Sequence, residues 1–203
     1  IISQNVGRTS GLVKAVAAAG GTWTLIKTLT SDGSDADLSF INGSDDVTLD
    51  STYPIYVFKF INIHPETDEV DLTFNASTDT GSNYNVTKTT TYFRAYHDEG
   101  DSSTDVAYNA ANDIAQGTGY QIISDNIGNA SDESGSGILQ LFDPSDTTSI
   151  KHFIGRQNGY HGSNYSQNSM VQGYLNTTSA INAVSFKFTS GNFDGVIQMF
   201  GIS

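Results

Sequence analysis

An all-β, antiparallel sandwich, jelly-roll-like and preceded by a short N-terminal arm, is the fold this sequence predicts. Three observations point to it. Residues alternate with a period of two: Val70, Leu72 and Phe74 fall on one side of a segment, and Asp71, Thr73 and Asn75 on the other, as in a half-buried strand. Clusters of Gly, Asn, Asp, Ser and Thr separate such segments at short intervals, which is the spacing of turns in sandwiches and barrels. Long helical periodicity is absent, and no repeat of fixed period points to a propeller or solenoid.

Taken in order, residues 1–21 stand apart as the predicted arm. They hold the Ala-rich run Ala15 to Ala19, closed by Gly20-Gly21. A short helix over 11–19 fits this run, although isolated helices of that length are marginal in water. The sandwich domain is assigned to 22–203. Its predicted strands are 22–29, 36–41, 53–63, 69–77, 84–96, 120–123, 137–142, 150–156, 169–175, 183–189 and 196–202. In 53–63, Tyr56, Phe58 and Phe60 alternate with Ile55, Val57 and Ile61, with Lys59 the charged exception. Both faces are largely apolar, which reads as a central strand covered on two sides. The cleanest alternation is Val184, Phe186 and Phe188 against Ser185, Lys187 and Thr189. Residues 107–118 and 124–136 read as long polar loops, where binding usually sits.

Composition narrows the function classes. A chain of 203 residues suits one sizeable domain that buries roughly 70% of its unfolded surface. Its 9 basic and 22 acidic residues give a net charge of −13. Nucleic acid and anionic membranes, which need clustered Lys and Arg, are disfavoured as partners. There are no cysteines, so disulfides, thiolate zinc sites and Cys nucleophiles are excluded. No apolar run is long enough for a spanning helix, so no membrane insertion is expected. The N-terminus lacks the basic and apolar regions of a signal peptide. It also lacks an initiator Met, which reads as a processed or truncated version of a longer chain.

Several constellations invite a chemical reading. Asp32, Asp35 and Asp37 place three carboxylates in six residues, the oxygen-rich composition that calcium prefers, although the twelve-residue calcium loop with its closing Glu is missing. A solvated turn is the competing reading. The stretch Ser77-Thr78-Asp79-Thr80-Gly81-Ser82-Asn83-Tyr84 fits an Asp-box and predicts a hairpin turn, with Asp79 bonding back to turn amides. His152 shares a strand face with Ile150 and Ile154 and is expected to be buried. The sequence has no G-x-S-x-G, H-E-x-x-H or phosphate-cradling loop, so no enzyme activity is expected. Six N-x-[ST] sequons follow from the Asn, Ser and Thr richness. The stretch Gly159 to Tyr165 offers Tyr160, His161, Asn164 and Tyr165, aromatic faces beside amides and hydroxyls, a composition that suits a sugar ligand. A plain surface loop is the alternative.

The block Tyr56 to Asp101 resembles a family of structural proteins from tailed phages of marine and freshwater bacteria, cyanophages and their relatives. Further matching pieces are 136–142, 151–154, 173–184 and the ending 190–202, so the resemblance covers about residues 22 to 203. It implies a virion component displayed on the particle surface, either a tail fibre or appendage module or a capsid decoration protein. Expected partners are further copies of the chain in a homotrimer, other virion proteins through residues 1–21, and a host-surface glycan. A secreted carbohydrate-binding module or glycan-cleaving enzyme is the reading from another class.

Overall fold

The computed structural model describes residues 21–203, so the predicted arm and its helix lie outside the described residues. The described chain is all-β and 58% strand. Its twelve strands are β1 (Trp23–Asp35), β2 (Asp37–Ile41), β3 (Ile55–Pro65), β4 (Val70–Ser77), β5 (Lys88–Asp98), β6 (Thr104–Tyr108), β7 (Gln121–Ile127), β8 (Gly135–Phe142), β9 (Lys151–His161), β10 (Tyr165–Leu175), β11 (Ala183–Phe188) and β12 (Phe193–Ile202). All pairings are antiparallel.

The strands form two layers. The larger runs β1-β12-β3-β8-β9-β10-β5-β6, and the smaller runs β7-β4-β11-β2. One pair, Ile127↔His161, joins them through β7 and β9. At the other side the chain bends at Ala36, passing from β1 in one layer to β2 in the other. The sheet is therefore nearly closed.

The core lies between the layers, and its centre is aromatic. Phe186 of the small layer sits 5.1 Å from Phe58 and 5.0 Å from Phe60 of β3, and 6.3 Å from Phe40 of β2. Phe74 of β4 meets Phe153 of β9 edge-on at 4.8 Å. Each such ring contributes about 1.5–3 kcal/mol through burial, and edge-to-face contact adds to this. Val70, Leu72 and Phe74 all face inward, as their alternation predicts, and so do Val184, Phe186 and Phe188. The opposite side of β4 is not solvated, however. Thr73 and Asn75 are also buried: Asn75 donates to the carbonyls of Tyr84 and Thr118, which lie on segments crossing over the small layer.

Bulges shape the large layer. At the shift between Asp194 and Val196, Gly195 takes φ +131°, and a Cβ there would lie 2.6 Å from the Asn62 carbonyl oxygen. Only glycine fits this bend.

Four expectations need correction. The Asp-box does form the predicted local turn: Asp79 accepts from Ser77 Oγ and from the Asn83 amide, and Gly81 takes φ 78°. It does not close a hairpin, because β4 and β5 are not paired; it is the crossover between layers. Residues 104–108, left out of the strand prediction, form β6. The outer side of β3 is covered only in part, since Val57 is buried while Ile61 is exposed. In β9 the facing is opposite to the prediction. His152 and Ile154 are exposed, while Lys151, Phe153 and Gln157 face inward. Lys151 can do so because its ammonium reaches the carbonyls of Ser149 at 2.9 Å and Thr177 at 3.3 Å.

Candidate functional site at the β9–β10 tip

The strongest candidate site is the end of the β9–β10 hairpin. The two strands stay in register from Lys151↔Leu175 to His161↔Tyr165. Gly162, Ser163 and Asn164 then make the turn. The Asn164 amide donates to the His161 carbonyl at 2.8 Å, and Asn164 takes φ 63°, a conformation asparagine tolerates well. The four residues singled out from sequence are thus brought together, but as strand ends and a tight turn rather than a long loop.

Their roles differ. The Tyr160 ring is half-buried; its hydroxyl donates to Glu99 Oε1 at 3.0 Å and lies 3.1 Å from Asn164 Oδ1. That bond to a carboxylate holds the phenol proton on and raises its pKa. Tyr165 stacks on Tyr96 of β5 at 5.1 Å, with the His161 ring on its other flank at 5.1 Å. Its apolar surface is therefore engaged inside the protein. His161 is buried, and its Nδ1 accepts the Ser163 amide at 3.0 Å. Burial lowers its pKa against the opposing pull of Asp125 and Glu69. The imidazole is accordingly neutral, with its proton on Nε2. Ser163 Oγ donates to Glu69 Oε1 at 2.9 Å, tying the turn to the β3–β4 connection.

Beside Tyr160 runs a polar groove of 390 Å³, lined by Asp98, Glu99, Asp132, Ser134, Asn158 and Ser166 among others. Asp98 is held in place by the amides of Ser102 and Ser103, at 2.9 and 2.7 Å. The Ser102 hydroxyl above all, and then these amides, lower its pKa, so it stays ionised near neutrality. One aromatic flank and the carboxylates of Asp98, Glu99 and Asp132 form a surface that can accept hydrogen bonds from a polyhydroxylated ligand.

Below the tip lies a buried polar cluster not foreseen from sequence. Asp125 of β7 is 3% exposed. It accepts from Tyr92 Oη at 2.6 Å, Arg94 Nη1 at 3.0 Å and Asn112 Nδ2 at 3.1 Å, and also from Gln167. A buried carboxylate survives when it is paired and hydrogen-bonded in this way. The alternation of Thr90, Tyr92, Arg94 and Tyr96 along β5 was the available signal for it. The cluster anchors the strands that carry Tyr96, Tyr165 and His161.

The other candidates stay apart. Asp32 accepts from the amide and hydroxyl of Ser34, and Asp37 from the hydroxyl of Ser39; Asp35 pairs across to Phe193. Among the described residues, no group of three or more His, Cys, Asp or Glu is placed to hold a metal ion, and Asp32 and Asp37 act as acceptors for serines two residues on. Nor is any helix among them long and apolar enough to cross a membrane.

The outer face of the large layer is partly apolar. Its exposed positions are not mainly Ser, Thr and Asn. A row of paired positions crosses it as Tyr108, Phe93, Met170, Arg156, Ile138 and Lys59, with Val106 77% exposed and Ile154 47% exposed nearby. Toward β1, Lys59 Nζ lies over the rings of Trp23 and Phe200, at 4.7 and 4.9 Å. Comparison with protein-family models, curated proteins and solved structures finds no match to this chain.

Proposed function

We propose that the chain is a structural protein displayed on the surface of a tailed-phage virion, a tail-fibre or appendage module that assembles with further copies of itself, as a homotrimer, and meets host-surface glycan at the β9–β10 tip. The observation that carries the assembly part is the outer face of the large layer. Val106, Tyr108, Met170 and Ile154 are exposed on one sheet face. Monomeric proteins seldom leave such apolar surface in water, and a second copy covers it. The virion setting rests on the sequence resemblance. The groove beside Tyr160 supports glycan attachment, with a ring to stack on and carboxylates to accept sugar hydroxyls.

The test is sedimentation of the purified chain, paired with its copy number in purified virions. A trimer that Met170→Asp dissociates without loss of β-structure is the expected result. A chain that is monomeric at all concentrations and absent from virions would overturn the reading. Particle-free glycan binding by such a monomer would favour a secreted carbohydrate-binding module.

A further inference from the structure

We infer that an apolar trough on the outer face of β5, β9 and β10 is the docking site for residues 1–20 of a neighbouring copy. The inference rests on the assembly reading above and names the contact that would drive it. The trough has a volume of 500 Å³ and is lined by Thr89, Thr91, His152, Ile154, Gln172 and Tyr174 among others. Its floor is apolar, and the edge of the His152 ring meets Tyr174 at 6.3 Å.

Position points to the occupant. Trp23 pairs with Ile202, Ile202 with Ile55, and Ile55 with Phe142. Phe153 pairs with Leu141, and His152 with Tyr174. The chain therefore enters β1 at the same end of the sheet as the trough. From β1 to β9 there are four strand steps, about 19 Å at the usual spacing. Twenty residues reach up to about 66 Å when extended. β1 runs away from that end, and the segment joined to its start is residues 1–20. To lie on their own face they would have to reverse direction; to reach a neighbour they need not.

Chemistry agrees with position. Residues 1–20 hold Ile1, Ile2, Val6, Leu12, Val13 and Val16, with several alanines, side chains of a size to fill a shallow trough. They also carry Arg8 and Lys14 and no carboxylate. Residues 21–203 carry all 22 acidic side chains against 7 basic ones, a net charge of −15. Asp143 and Asp146 lie on the β8–β9 connection, which joins the two strands at the trough end and presents negative charge to the incoming cations.

The chain has no cysteine, so introduced thiols report contacts directly. Chains carrying Val13→Cys are co-assembled with chains carrying Ile154→Cys and mildly oxidised. Cross-linking between the two chains is expected, and not when Ser163→Cys, at the opposite end of β9, replaces Ile154→Cys. Cross-linking no greater than that control, or found only within a single doubly substituted chain, would overturn the inference. Sedimentation separates its failure from that of the assembly reading. Leu12→Asp and Ile154→Asp should each weaken association at least about tenfold, with the β-sheet circular-dichroism spectrum intact. A wild-type chain that never associates sinks both ideas. An oligomer indifferent to both substitutions and lacking the cross-link sinks the docking site alone.

Discussion

Two buried charges show how single residues are accommodated here. Asp125 is 3% exposed and gathers Tyr92, Arg94, Asn112 and Gln167. Asp125→Ala leaves the Tyr92 hydroxyl and the Arg94 guanidinium without their acceptor, and should cost about 3 kcal/mol; urea unfolding measures this. Asp125→Asn keeps acceptor capacity and should cost less. Lys88 is the opposite case, an ammonium with no carboxylate partner. Its Nζ donates to Asn75 Oδ1 at 2.8 Å and the Gly119 carbonyl at 2.7 Å, and burial lowers its pKa to about 8. In the unfolded chain it titrates near 10.4. Below pH 8 both states hold the proton, and above about 10.4 neither does. Between these limits the unfolded state binds more protons, so stability rises with pH. Relative to Lys88→Met, the wild type should gain about 2–3 kcal/mol between pH 7.5 and 10. A stability difference between the two that stays flat across this range would contradict the assignment.

At the scale of the element, the β9–β10 hairpin separates what is held from what is offered. Tyr165 is clamped between Tyr96 and His161, so Tyr165→Ala should destabilise by about 1–2 kcal/mol. Tyr160 is half-buried and makes polar contacts at the rim, so Tyr160→Ala should cost under about 1 kcal/mol. Thermal unfolding orders the two. If the tip is the attachment site, Tyr160→Ala lowers adsorption to host cells while the fold persists. Unchanged adsorption would remove the groove beside Tyr160 from consideration. Sequence grouped these four residues, because aromatic and amide groups around Gly162 mark a turn, and they do lie at one hairpin tip. It could not divide them, because strand alternation does not say which ring meets Tyr96, sixty-nine residues earlier in the chain.

For the molecule as a whole, the decisive contacts join the layers. Phe186 touches rings from β2, β3 and β4. Phe186→Ala should cost about 3–5 kcal/mol by leaving a cavity between the sheets, and denaturant midpoints at an unchanged slope would show it. A cost near 1 kcal/mol would mean the two layers hold together without this ring.

The sequence by itself determined the fold class, most strand positions and the local turn at Asp79, since these follow from period-two alternation and from side chains bonding their own backbone within a few residues. The tertiary structure alone decided which face of a strand is inside. Alternation defines two faces and is silent on which one a second layer covers. In β9 His152 and Ile154 of the more apolar-looking side were left outside, and Lys151 went in because the carbonyls of Ser149 and Thr177 accept hydrogen bonds from its ammonium. It also decided β6, whose exposed residues carry no burial pattern and are held in place by pairing with β5. The partners that settle such choices lie tens to more than a hundred residues away. Only the folded chain brings them together.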